Sequence, residues 1–264
     1  MAYKLGWFST ARGGGSRSLL KTVNDCMKSG DIKADIDFVF CSRDPGESEE
    51  TDIFLEQVKS YGIPLVCFSY QKFKTKFGSH VKAGTIPQWR LEYDREIMKR
   101  LGGFHPDICV LAGYMLVAGP ELCTRYDMIN LHPAAPDGPK GTWQEVIRHL
   151  IDTRSRTTGV MMHLVTPELD RGPVVAYCTF SLRGKVFDSL WQKVEQYPEG
   201  TPESQSARKV LFDTIRKHGL AREFPLITTT IKAFSEGRIK ITPGKTVVDT
   251  GGERYFRLRF NERD

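Results

Sequence analysis

The sequence predicts a doubly wound, mostly parallel α/β sheet with helices on both faces. Three observations predict it. Short apolar runs alternate with amphipathic ones from Leu5 to Leu131. The run Ile108-Cys109-Val110-Leu111-Ala112 is apolar on both faces, as strands inside parallel sheets are. The chain has 264 residues, 40% hydrophobic and 27% charged, which is ordinary globular composition and enough to bury a core.

Each element follows from local pattern. Leu5 to Ser9 reads as a strand, and the glycine-rich turn Arg12-Gly13-Gly14-Gly15-Ser16 follows it. Leu19, Leu20, Val23 and Met27 repeat at helical spacing, so Ser18 to Lys28 reads as a helix. Ile36 to Cys41 is a second strand, the polar Ser42 to Thr51 a loop, and Asp52 to Tyr61 a helix closed by Gly62. Pro64 to Phe68 and Ile108 to Ala112 are strands around a helix at Trp89 to Leu101. Pro120 to Tyr126 is a short helix and Met128 to Leu131 a strand. Beyond it come a helix at Thr142 to Ile151 and strands at Gly159 to Val165 and Val174 to Phe180. Residues 183 to 206 are polar, with Pro198, Gly200 and Pro202, and read as a loop excursion. Ser206 to His218 and Phe224 to Ser235 read as two helices. The tail from Ile239 to Phe260 reads as a hairpin turning at Gly251-Gly252.

Composition narrows the function. Lys plus Arg is 38 against 32 Asp plus Glu, a net charge of +6. That mild excess suits an anionic small molecule. No dense basic run is interleaved with aromatics, which argues against a dedicated nucleic-acid module. The apolar stretch Ile108 to Val117 is about ten residues long and contains Gly113, too short to span a bilayer. No signal peptide is visible after Met1-Ala2-Tyr3-Lys4, so a cytoplasmic location is the default expectation. The six cysteines have no C-x-x-C spacing and read as reduced thiols, with no metal site implied.

Ligands of such sheets sit beyond the carboxyl ends of the strands. Three segments there carry chemistry. Arg12, Gly13, Gly14, Gly15, Ser16, Arg17 and Ser18 follow the first strand, where glycine amides, a helix start and two guanidiniums suit a phosphate or carboxylate. The turn is neither a P-loop, which needs Gly-Lys-Ser/Thr, nor a dinucleotide fingerprint. Asn130-Leu131-His132-Pro133 ends a strand and sets Asn130 and His132 on one side of it. An amide beside an imidazole can polarise a carbonyl and move a proton. Asp170 precedes Gly172-Pro173 and, taken alone, reads as a turn former first.

Together with Val110-Leu111-Ala112-Gly113-Tyr114-Met115, these segments stand in the order and near the spacing of the formyltetrahydrofolate-dependent formyltransferases. The resemblance runs from about Leu5 to Val175, with an echo to about residue 240. It is nearest the branch that formylates glycinamide ribonucleotide. It implies a formyltransferase fold and a catalytic domain over 1–240. The acceptor and phosphate half would be about 1–105 and the folate and catalytic half about 106–240, with 241–264 a C-terminal extension. It implies a catalytic set of Asn130 holding the formyl oxygen, His132 stabilising the oxyanion as imidazolium, and Asp170 raising the histidine's proton affinity and relaying a proton. Met115, Leu116, Val117 and Ala118 match the stretch that lines the pterin pocket, and the glycine turn matches the substrate-phosphate loop. Formyltetrahydrofolate is the implied co-substrate and an anionic amine the implied acceptor, in a monomer or homodimer.

The sequence departs from the resemblance mostly on the acceptor side. The loop from Pro133 to Trp143 differs, the phosphate turn carries Arg12 and Arg17, and the position of a ribose-binding acidic residue falls near Leu220. A pterin-side arginine of some relatives falls at Leu116. A different phosphorylated or nucleotide-sugar amine, hydrolysis of formyltetrahydrofolate, and a non-catalytic folate or nucleotide sensor are the alternatives. No regulatory domain fits before Leu5, which argues against the hydrolase. The tail is too short for the basic barrel of a methionyl-tRNA formyltransferase.

Overall fold

The computed structural model describes residues 2–77, 86–250 and 256–257. Seven strands and their crossovers run β1 (Tyr3–Ser9), α1 (Gly14–Lys28), β2 (Ala34–Cys41), α2 (Glu49–Ser60), β3 (Leu65–Cys67), α3 (Tyr70–Lys74), α4 (Gln88–Arg100), β4 (Ile108–Leu111), α5 (Pro120–Arg125), β5 (Met128–His132), α6 (Trp143–Asp152), β6 (Thr157–Leu164) and β7 (Val174–Ser181). Then follow α7 (Lys185–Gln196), α8 (Pro202–Ser235), β8 (Ile239–Ile241), β9 (Val247–Asp249) and β10 (Phe256–Arg257). The sheet order is β10-β7-β6-β5-β4-β1-β2-β3. β6 alone is antiparallel to its neighbours, β5 and β7. The mostly parallel α/β fold is therefore as the sequence predicts.

Two apolar layers cover the sheet. Leu19, Leu20 and Val23 of α1, Phe54 and Val58 of α2, and Leu226, Ile227 and Ile231 of α8 pack on one face. Tyr93 and Ile97 of α4 and Leu122 of α5 pack on the other, against Phe8, Phe38 and Phe40. Of the six cysteines, all unbridged, Cys41, Cys109, Cys123 and Cys178 are buried.

Three expectations are corrected. The stretch 183–206 is not a loop: α7 occupies half of it, and α8 begins at Pro202. Phe187, Leu190, Trp191 and Val194 recur at helical spacing and pack with Leu211 and Ile215 of α8 and Val146 and Leu150 of α6. The two expected helices after it are one helix of 34 residues that continues through Pro225. An interior proline costs about 3 kcal/mol. Here the face before it (Leu211, Ile215) and the face after it (Leu226, Ile227, Ile231) are both buried, and that burial outweighs the cost. The hairpin pairs β8 with β9 and turns near Pro243-Gly244-Lys245, where Lys245 adopts φ 56°. Gly251 and Gly252 lie outside the described residues. Among the described residues no helix is long and apolar enough to cross a membrane.

Candidate active site

The carboxyl ends of β1, β4 and β5 converge, as the topology requires of a doubly wound sheet. β5 delivers Asn130 and His132. Its neighbour β6 runs the other way and sets His163 directly opposite Asn130. Asn130 Nδ2 lies 3.1 Å from His163 Nε2. His163 Nδ1 lies 3.0 Å from the Leu164 carbonyl, which can only accept, so Nδ1 carries a proton. In the neutral ring Nε2 then accepts from Asn130, leaving that amide one N–H and its oxygen for other partners.

Asp170 arrives from the turn between β6 and β7. It sits at φ 51°, in the left-handed region that aspartate tolerates better than most residues. Gly172 lets that turn close: a Cβ there would lie 1.6 Å from the Leu164 carbonyl oxygen, so no other residue fits without backbone movement. The Asp170 carboxylate then faces two imidazoles. Oδ2 is 3.5 Å from His132 Nδ1, and Oδ1 is 3.5 Å from His163 Nε2. Oδ2 also accepts the Gly141 N–H at 3.1 Å. Both histidines are buried.

Burial is the largest influence on His132 and lowers its pKa below the ordinary value; Asp170 and the Pro139 carbonyl raise it, and His163 lowers it further. The resting site therefore favours the neutral ring, and the imidazolium the resemblance implies depends on the charge of Asp170. Burial also pushes Asp170 up, but His163, His132 and the Gly141 N–H together hold its carboxyl below the usual range. Asp170 is thus the fixed negative charge of the site.

The glycine turn opens α1. Gly13 is its N-cap, and Gly14, Gly15, Ser16, Arg17 and Ser18 are already helical. The helix starts earlier than expected because its first N–H groups need no helical partner. Its first turn has no acidic residue and no side-chain cap. Ser16 is buried against Gly113, while Arg12 and Ser18 are exposed. Arg17 is held by Glu50 of α2. The guanidinium that reaches the turn from elsewhere belongs to Arg216 of α8, whose Nη2 lies 3.9 Å from the position of a Gly15 Cβ. Arg216 is fixed by Glu223 at 2.6 Å and by the Trp143 ring, whose centre is 4.6 Å away. A small, mostly apolar gap between α6, α8 and β6 is lined by Ile147, Leu150, Gly159, Phe180 and Ile215 together with Arg216 and Glu223.

Met115 to Ala118 follow β4 on the other side of His132's strand. Met115 is exposed, Leu116 and Val117 are half-buried, and Ala118 is buried in the core. Ala118 can therefore meet a ligand only through its backbone. Sequence reasoning missed His163 and Arg216. His163 sits inside the apolar run Val160 to Val165 and looks like a core residue; Arg216 is remote in sequence from the turn it approaches. Among the described residues no group of His, Cys, Asp or Glu is arranged to hold a metal.

This arrangement of strand-end amide, imidazole and carboxylate coincides with a family match. The model of the formyl transferase family matches residues 13–182, which contain all of it. The chain belongs to the formyl transferase family. It is 26% identical over 230 residues to the phosphoribosylglycinamide formyltransferase of Escherichia coli, covering 86% of each chain. Solved structures share the fold. The phosphoribosylglycinamide formyltransferase of Coxiella burnetii superposes with a TM-score of 0.69 at 18% identity, over 98% of this chain and 100% of that one. Glycinamide ribonucleotide transformylase 1 of Symbiobacterium toebii does so with 0.66 at 20% identity, over 94% of both.

Proposed function

We propose that this formyl transferase moves the formyl group of formyltetrahydrofolate to the amine of glycinamide ribonucleotide, a step of purine biosynthesis. The observation that carries the reading is Asp170, shared by His132 and His163 beside Asn130, in a member of this family. The amine attacks the formyl carbon, and the carbonyl oxygen gains charge. Asn130 and His132 donate to that oxygen, where donors are worth most because water is excluded. Asp170 places its negative charge behind His132 and receives, through water, the proton the amine loses, which it later returns to the folate nitrogen. The carbon–nitrogen bond to the folate then breaks, and the folate nitrogen takes up a proton.

The subsites divide around this centre. Met115 to Ala118 take the pterin, largely through backbone groups. The start of α1 takes the acceptor's phosphate, with its N–H groups and helix dipole. Arg17 and Arg216 both bring a guanidinium against this turn, each held by one carboxylate, Glu50 and Glu223. An anionic acceptor fits this charge pattern better than a neutral one.

The test is transfer from formyltetrahydrofolate to purified glycinamide ribonucleotide. Catalytic efficiency of about 10⁴ M⁻¹s⁻¹ or more supports the reading. Folate turnover that ignores the acceptor indicates hydrolysis instead, and bound folate without turnover indicates a sensor.

A further inference from the structure

We infer that Cys41 and Cys67 are a dithiol that a small aliphatic disulfide, such as glutathione disulfide, oxidises to a disulfide tying the edge strand to the sheet. The two residues are register partners on the parallel strands β2 and β3. The Phe68 N–H donates to the Cys41 carbonyl at 3.0 Å, so the ladder holds Cys67 directly beside Cys41. Register partners of a parallel ladder turn their side chains to the same face. Both side chains belong to the one apolar layer that α1 and α2 cover. Neighbouring strands lie about 4.8 Å apart. That is within the span of about 4.4 to 6.8 Å between Cα atoms that a disulfide bridges. No other two of the six cysteines are register partners.

The two thiols differ in access. β3 is the last strand at its end of the sheet, and Cys67 is half-buried. Cys41 is fully buried. Burial, the largest influence on both, pushes the Cys67 thiol up to about 11 and the Cys41 thiol up to about 12. Few thiolates form at neutral pH, so the first exchange is slow. Proximity then favours the second, because the two sulfurs share one position of the ladder.

The oxidation is two thiol–disulfide exchanges. The Cys67 sulfur gives its proton to solvent and attacks one sulfur of the small disulfide. That sulfur–sulfur bond breaks, and the departing thiolate takes up a proton. The Cys41 sulfur, deprotonated in turn, attacks the Cys67 sulfur of the mixed disulfide and releases the second small thiol. Two protein thiols are oxidised to one disulfide, and one small disulfide is reduced to two thiols. The new bond closes the chain around α2 and joins β3, which is only three residues long, to β2. Such a closure removes freedom mainly from the unfolded chain.

The test is oxidation of the folded, fully reduced chain with glutathione disulfide. Free thiols are then alkylated, linked peptides are mapped by mass spectrometry, and both redox forms are melted. The expected result is one link within the chain, between the peptides of Cys41 and Cys67, that dithiothreitol reverses. The oxidised form should melt about 5 °C or more above the reduced one. Cys26→Ser should form the same link, whereas Cys67→Ser should form none and show no rise. Cys41→Ser should stop at the mixed disulfide on Cys67; if that variant does not fold, the wild type and Cys67→Ser decide. A link through Cys26, a link between chains, no link at all, or an oxidised form that melts no higher overturns the inference.

Discussion

His132 Nε2 lies 2.8 Å from the carbonyl oxygen of Pro139. A carbonyl only accepts, so Nε2 carries the proton. The donor assigned to the formyl oxygen is thus already engaged by the loop between β5 and α6. On the proposed reading, a bound formyl oxygen competes with that carbonyl for the same N–H. His132 Nδ1 lies 3.5 Å from Asp170 Oδ2, longer than a good hydrogen bond, so the carboxylate acts on the ring through its charge.

Replacing either central partner should stop the chemistry. His132→Ala and Asp170→Asn are each expected to lower formyl transfer by at least about a hundredfold, the usual scale of a lost acid–base or oxyanion group. Steady-state transfer measures this, and circular dichroism checks that both variants fold. Near-normal turnover in either contradicts the mechanism.

His163 is expected to act through Asn130. His163→Leu removes the partner of the Asn130 amide and leaves that side chain unanchored. We expect kcat to fall about tenfold, about 1.4 kcal/mol of transition-state stabilisation, with both KM values little changed. Equal kcat in variant and wild type would make His163 a core residue only.

Acid should destabilise the fold through His132. Burial holds its folded pKa below the ordinary 6.5, so the unfolded chain binds the proton first as pH falls. Stability is complete above that ordinary value and declines below it. Asp170, also depressed, adds a loss of the same sign as pH falls through and below its ordinary 3.8. Melting scans from about pH 7 to about pH 5 should show a steeper loss in the wild type than in His132→Asn. Parallel curves would refute the assignment.

The acceptor's anion should feel both guanidiniums beside the glycine turn. Arg216→Met and Arg17→Ala are each expected to raise acceptor KM about tenfold, because each side chain lies against the start of α1. Initial-rate kinetics with acceptor varied at saturating folate measure both. An unchanged acceptor KM in both variants would take the phosphate away from the start of α1.

The order of strands and helices was legible because buried strands are apolar throughout and their helices are not. Ile108 to Leu111 and Leu19 to Val23 show both signals without help from distant residues. α7 was not legible, since Pro198, Gly200 and Pro202 nearby suggest a loop, while its apolar side is covered by α6 and α8 only in the fold. Pro225 likewise divides α8 on paper, and packing against the sheet joins it. Within the site, Asn130, His132 and Asp170 announced themselves through motifs. His163 and Arg216 did not, because nothing local separates a site histidine from a core one, or a surface arginine from one folded back on a remote turn.

One carboxylate faced by two rings and a backbone N–H is a hub with three spokes, His132, His163 and Gly141. The two rings stand nearly perpendicular, their centres 6.1 Å apart, so neither can shift without the carboxylate following. Replacements of His132 and His163 are therefore not independent. The loss in the double variant will differ from the sum of the two single losses, because both act on the same side chain.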